Sequence, residues 1–230
     1  METANSSTVA LPQSQNLINR IIGIFTSPRA TMDDIVARPS WLVPLVITVI
    51  AVGISSYLLK ELIVDQALEE MARDGKVTQE QMDAAVPWIE KSVLILPLIF
   101  MPIMSLLLAG VFMFVGNVIL GGEARFKTAF SVICWSGIIL LLSSIVNIPL
   151  MLSRGDMASP TSLAFLAGDD KGSPMFFLFS QLDLFYFWWV AIMGIGFAAA
   201  YKFANQKGII TAFACWAVFI ALGMGLKAIF

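Results

Sequence analysis

Five apolar runs, each about long enough to cross a bilayer, constrain this chain more than anything else in it. A spanning helix needs roughly 20 apolar residues, and such runs stand at 41–59, 93–120, 126–152, 182–203 and 209–229. A globule in water needs a polar skin and has no way to hide that much apolar surface. Hydrophobic residues make up 58% of the chain and charged residues 13%, against about 45–50% and about 25% in soluble domains. The expectation is an all-α, polytopic helical membrane protein with about five transmembrane helices, whose first partner is the lipid bilayer. The net charge of −2 and the absence of a dense basic tract leave no footprint for a nucleic acid.

The residues before the first run divide in two. Residues 1–15 are polar, carry no apolar core with a cleavage site and are expected to be a disordered cytosolic tail; the membrane domain is then 16–230. Leu17, Ile18, Ile21, Ile22 and Phe25 share one helical face and Asn16, Asn19, Arg20 and Gly23 the other. This stretch is too short to span, and its amphipathicity predicts an interfacial amino-terminal helix lying in the headgroup plane. Ser27-Pro28 ends it. A second short helix is expected to be capped by Thr31, with Asp33 and Asp34 in its first turn, and to run out at Arg38-Pro39.

Between the first two runs lies an acidic segment, 60–91. Glu61, Asp65, Glu69, Glu70, Asp74, Glu80, Asp83 and Glu90 outweigh Lys60, Arg73, Lys76 and Lys91. Its periodicity predicts a helical hairpin resting on the outer membrane surface, turning at Asp74-Gly75-Lys76, with Thr78 and Gln81 forming a capping box. Pro97 and Pro102 in the second span and Pro149 in the third are expected to kink their helices. In the last span Ala217, Ala221 and Gly225 repeat every four residues, a small-residue ridge suited to close helix packing. The run Phe185 to Trp189 reads as an aromatic belt at the membrane interface.

Lysines and arginines divide evenly between the two sides, but those at the tight turns (Arg125, Lys127, Lys202 and Lys207) are the densest near span ends. That density predicts a cytoplasmic amino terminus, and an odd span count then puts the carboxyl terminus outside.

Chemistry-bearing residues are few. The chain has no histidine, so the commonest general base and metal ligand are both missing. No catalytic constellation, metal-ligand set or cofactor motif is present, and an enzyme is not expected. Cys134 and Cys215 lie in apolar runs and read as small hydrophobes. Asn117 and Asn147 read as cross-helix hydrogen bonders. Asn147, Arg154 and Asp183 lie at one depth, at the end of the third span and the start of the fourth. They are expected to form an outer polar cluster, either a small binding site or, as the preferred reading, an Arg154–Asp183 ion pair.

Several short motifs, in order, resemble a known family. Ile24-Phe25-Thr26-Ser27-Pro28-Arg29 precedes Pro39-Ser40-Trp41-Leu42-Val43-Pro44. Gly121-Gly122 with Phe126-Lys127 marks an inner turn. Asp183-Leu184-Phe185 with Trp188 or Trp189 leads to Gly194-Ile195-Gly196-Phe197, and Lys207-Gly208 opens the last span. Together they resemble bacterial members of the Yip (Ypt/Rab-interacting protein) domain family. The resemblance implies a cytosolic amino terminus, five spans, a bacterial inner membrane location, and an inner-turn motif here carried by Gly121, Gly122 and Lys127. It transfers no catalytic residue. Eukaryotic members are linked to Rab-type GTPases, but the family's eukaryotic Asp-Leu-Tyr-Gly-Pro motif is absent here. The function expected is a non-enzymatic membrane organiser or adaptor acting through lipids and through other membrane proteins or self-association. The alternative is a transporter or channel for a small solute or ion, with a path between spans two, three and four.

Overall fold

The apolar runs and their flanking caps fold as helices wherever the chain is described. A computed structural model describes residues 15–75, 77–168 and 170–229, and it is 82% helical. Among the described residues there is no strand, only a β-bridge between Ser162 and Asp183. Most of the tail expected at 1–15 lies outside the described residues, as does Lys76 of the hairpin turn.

The chain opens with two short helices, α1 (Leu17–Thr26) and α2 (Pro28–Ala37). Asn16 caps α1, its Oδ1 accepting from the Asn19 amide at 2.8 Å. The cap expected at Thr31 is not one. α2 starts a turn earlier, with Pro28 in its first turn, where the fixed φ suits a helix start; Thr31 is fully buried inside it.

Helix α3 (Leu42–Leu58) turns through 64° into α4 (Lys60–Asp74). Gly75 ends α4 in the left-handed region at φ 65°, and the Thr78–Gln81 capping box starts α5 (Gln79–Met113). This corrects the hairpin. Its second arm is no separate helix on the surface but the first turns of α5, which with a π-helical end (Phe114–Ile119) runs for 41 residues. Pro97, Pro102 and also Pro87 lie inside α5, and Pro149 inside a later helix; both helices continue through them. A bend of 64° stands between α3 and α4, at the break between Leu58 and Lys60.

The third run folds as α6 (Phe126–Ser136) and α7 (Ile138–Arg154), separated by Gly137. After a loop come α8 (Pro174–Gln181), α9 (Leu184–Ala200) and α10 (Asn205–Ile229). Among the described residues three helices are long and apolar enough to cross a membrane: Gln79–Ile119, Phe126–Arg154 and Asn205–Ala228. The bent α3–α4 pair makes a fourth if it counts as one span. At 17 residues each, α3 and α9 reach about 25 Å at 1.5 Å per residue, a little short of the roughly 30 Å hydrocarbon core.

Burial shows how the helices are arranged. Only 17% and 11% of the most apolar stretches of α5 and α10 are buried, against 56% in α6–α7. The first two therefore sit at the periphery with apolar flanks outward, where lipid makes such exposure favourable. α9 is the hub, packing against α2, α6, α7 and α10. Ile24, Met32 and Ile35 from α1 and α2 join Val132, Trp135, Ile138 and Ile139 in a core with every member at most 2% exposed.

Candidate functional site

Asn147 and Asp183 are brought together through Thr161, and Arg154 is not with them. The loop after α7 pairs beside the start of α9: the Leu163 amide donates to Leu182 O at 3.1 Å and the Leu184 amide to Thr161 O at 3.3 Å. That pairing carries two hydroxyls onto Asp183, which is 2% exposed. Ser159 Oγ and Thr161 Oγ1 each donate to Asp183 Oδ2 at 2.6 Å. Asp183 Oδ1 accepts from the Phe185 amide at 2.8 Å, so the same carboxylate caps α9. Asn147 Nδ2 donates to Thr161 Oγ1 at 3.0 Å and to Ser143 Oγ at 3.1 Å.

Arg154 is not part of the cluster. It is exposed at the end of α7 and makes no ion pair with Asp183. Bringing a guanidinium to a buried carboxylate costs the desolvation of two charges; two short hydroxyls satisfy the same oxygens without it. The ion pair in this region is Lys171–Asp156, at 2.8 Å. Burial pushes the Asp156 carboxyl up, but the bonds from Lys171 and the Ala158 amide, with the nearby charges of Lys171 and Arg154, outweigh it and hold its pKa below the ordinary value.

Beside this cluster lies a cavity of about 390 Å³, within the roughly 300–1,000 Å³ usual for small-molecule sites. Ser55 and Gln66 line it from α3 and α4, Ser143, Ser144 and Asn147 from α7, and Ser180 from α8. Asp183 and Tyr186 close the α9 side. The cavity borders spans one, three and four, and α5, the second span, contributes nothing to its wall. One signal was present in the sequence: Ser143 and Asn147 are one turn apart on one face of α7. Ser159 and Thr161 gave none, because only the non-local pairing brings them in.

The inner turn is a second organised spot, at the opposite end of α9. Gly121 takes φ 66°, a value reserved in practice for glycine. Asn117, on the π-helical turn, grips the loop from both sides: its Nδ2 donates to Ala124 O and its Oδ1 accepts from the Ala124 amide, each at 3.1 Å. Tyr201 lays its ring where side chains on Gly116 and Gly122 would have to go, and its hydroxyl donates to Asn117 Oδ1 at 2.6 Å. Lys127 is exposed here, and its carbonyl accepts from Ser131 Oγ at 2.7 Å.

The amphipathic helix α1 buries Ile24 in the core, with Ile21 and Phe25 packed against it, and turns part of its apolar face outward. Arg20 and Gly23, from its polar face, are buried, while Leu17, Ile18 and Ile22 are 42%, 66% and 53% exposed. Arg20 Nε donates to the fully buried Asp34 at 2.7 Å and Nη1 to Ser40 Oγ at 2.6 Å; Arg38 bonds Asp34 from the other side. Burial raises the Asp34 pKa, but the bonds from Arg38 and Arg20 prevail and hold it below the ordinary carboxylate value. Arg29 ties α2 to the α9–α10 turn, its Nη1 donating to Asn205 Oδ1 at 2.7 Å.

The remaining expected features settle as follows. Ala217, Ala221 and Gly225 are exposed, and among the described residues nothing lies within 4 Å of where a Gly225 side chain would start. The close approach of α10 to α9 is made instead by Gly208 on Gly194, where added side chains would strike backbone. Rings of the 185–189 run have protein partners: Trp188 meets Phe25 edge-on, and Phe187 meets Phe213 and Trp216. Cys134 and Cys215 are free. Among the described residues no group of three or more cysteines and carboxylates is placed to hold a metal ion.

Comparison with curated proteins and with solved structures returned no match. Comparison with protein families matched residues 22–226 to the Yip1 domain. That match runs from the second half of α1 to the last turn of α10, most of the chain, and the chain belongs to the Yip1 domain family.

Proposed function

We propose that this multi-pass membrane protein is a non-enzymatic organiser or adaptor, working through lipid and protein contacts. The observation that carries the reading is the orientation of α1. Its arginine is locked into the bundle through Asp34 and Ser40, and its Leu17, Ile18 and Ile22 face away from the protein. Such a helix presents a fixed apolar strip to the headgroup and acyl boundary. The exposed ridge on α10 adds a surface on which a partner helix would meet little steric resistance. In this reading the chain crosses the bacterial inner membrane five times, α3 and α9 included, with the amino terminus in the cytoplasm.

A solute path through the bundle is the weaker reading. Two turns along α7 from Asn147, Ile138 and Ile139 are at most 2% exposed and belong to the packed core, which favours a one-ended cavity. Spin labels at Ile18 and Ile22 of the protein reconstituted in vesicles test the organiser reading. High accessibility to oxygen and low accessibility to a water-soluble relaxant is the expected result; the reverse pattern removes its support. Flux of small solutes through the same vesicles would favour transport.

A further inference from the structure

Two carboxylates are buried among the described residues, Asp34 and Asp183, and they are compensated differently. Asp34 has Arg20 and Arg38 against it. Asp183 has only uncharged donors: two hydroxyls on Oδ2 and one amide on Oδ1. A carboxylate offers about four acceptor positions, so one on Oδ1 remains, on a residue that lines the cavity.

Three serines on the wall are biased the same way. Ser55, Ser144 and Ser180 donate their protons to carbonyls of their own helices, Ala51 O at 2.8 Å, Leu140 O at 3.1 Å and Phe177 O at 2.9 Å. Toward the cavity they offer lone pairs. The cation on the wall, Lys171, is paired with Asp156. The cavity thus presents acceptors and one carboxylate that has hydrogen bonds but no cation against it, which suits an occupant with positive charge and N–H donors. Buried charges are otherwise costly unless paired.

We propose that this cavity binds the ammonium of a primary amine, with Asp183 as its counter-charge and the α3, α7 and α8 serines as further acceptors. The same chemistry is offered by an ethanolamine phospholipid headgroup and by a free small amine. The site stands whether or not the chain acts as an organiser.

The test uses the full chain in detergent and in nanodiscs. Free ethanolamine is titrated calorimetrically, with choline, which has no N–H, as control. Retention of ethanolamine phospholipid against choline phospholipid through delipidation is read by native mass spectrometry. Asp183→Asn keeps the helix cap and the hydroxyl partners but removes the charge. Ser55→Leu fills the cavity without touching the carboxylate, and so covers the case in which the first variant fails to fold. Saturable ethanolamine binding, weakened at least tenfold in either variant and absent for choline, assigns the site to a soluble amine. Selective retention of the ethanolamine lipid, lost in the variants, assigns it to a headgroup. Both outcomes support the proposal. Binding of neither, equal binding of choline, or undiminished binding in the folded variants overturns it.

Discussion

The Tyr201 hydroxyl donates to Asn117 Oδ1 at 2.6 Å across 84 residues of sequence, and this bond closes the inner turn against the end of α9. The tyrosine ring occupies the space above Gly116 and Gly122, so a methyl group at either position has nowhere to go. Gly116→Ala should destabilise the protein by about 1–3 kcal/mol, as overpacking does. Tyr201→Phe keeps the ring and loses the bond, for about 1 kcal/mol. Combining Gly116→Ala with Tyr201→Ala should cost less than the sum of the two, the mark of direct contact. Thermal unfolding of purified protein in detergent measures all three.

Asp183 is held by hydroxyls, and Arg154 stands apart. Thr161→Val removes a donor to a buried carboxylate and a partner of Asn147; it should cost about 1–3 kcal/mol. Arg154→Ala should lie within about 0.5 kcal/mol of wild type, as surface changes do. If the two variants melt in the reverse order, the ion pair read from the sequence is restored.

Acid should loosen the amino-terminal helices first. The folded pKa of Asp34 lies below its unfolded value, so its contribution is complete above the ordinary carboxylate value of about 4 and is lost as pH falls through the folded value. Asp156 has the same sign. The melting temperature should therefore drop on the acid side of about pH 4, and the drop should be shallower in Asp34→Asn. At neutral pH Arg20→Ala should be severe, about 3–5 kcal/mol, because it strips one partner from a buried pair.

The five crossings proposed above would put the two termini on different sides. An alkaline phosphatase fusion after α10 is expected to be active and one after Gly122 inactive. An inactive carboxyl-terminal fusion would reduce the count to an even number and remove α3 or α9 from the spans.

What was readable in the sequence was mostly local. The apolar runs gave α5, α6–α7 and α10 because lipid-facing helices need no polar stripe, and Thr78 with Gln81 gave the start of α5 because a capping box closes within four residues. α2 was misplaced by a turn, since Thr31 has a cap's chemistry but Pro28 had already set the backbone. α8 was missed; its eight residues follow a glycine- and serine-rich loop and carry too little periodicity to separate from the span beyond. Of the candidate site, Asn147 and Asp183 were visible as polar residues in apolar surroundings. Ser159, Thr161 and Tyr201 were not, because each matters through a contact made far along the chain. Arg154 was misjudged because opposite charges at one depth do not reveal which of them is dry.

The length of α5 has a consequence for the acidic hairpin at its start. A helix of 41 residues is about 60 Å long, roughly 30 Å more than the hydrocarbon it crosses. Held near the membrane normal, it lifts Glu80 and Asp83 roughly 15–20 Å clear of the span that starts near residue 93, where Asp65 and Glu69 of α4 lie in the same group. Charges raised by about two screening lengths, each about 8 Å in physiological salt, are offered to the aqueous compartment more than to the headgroups.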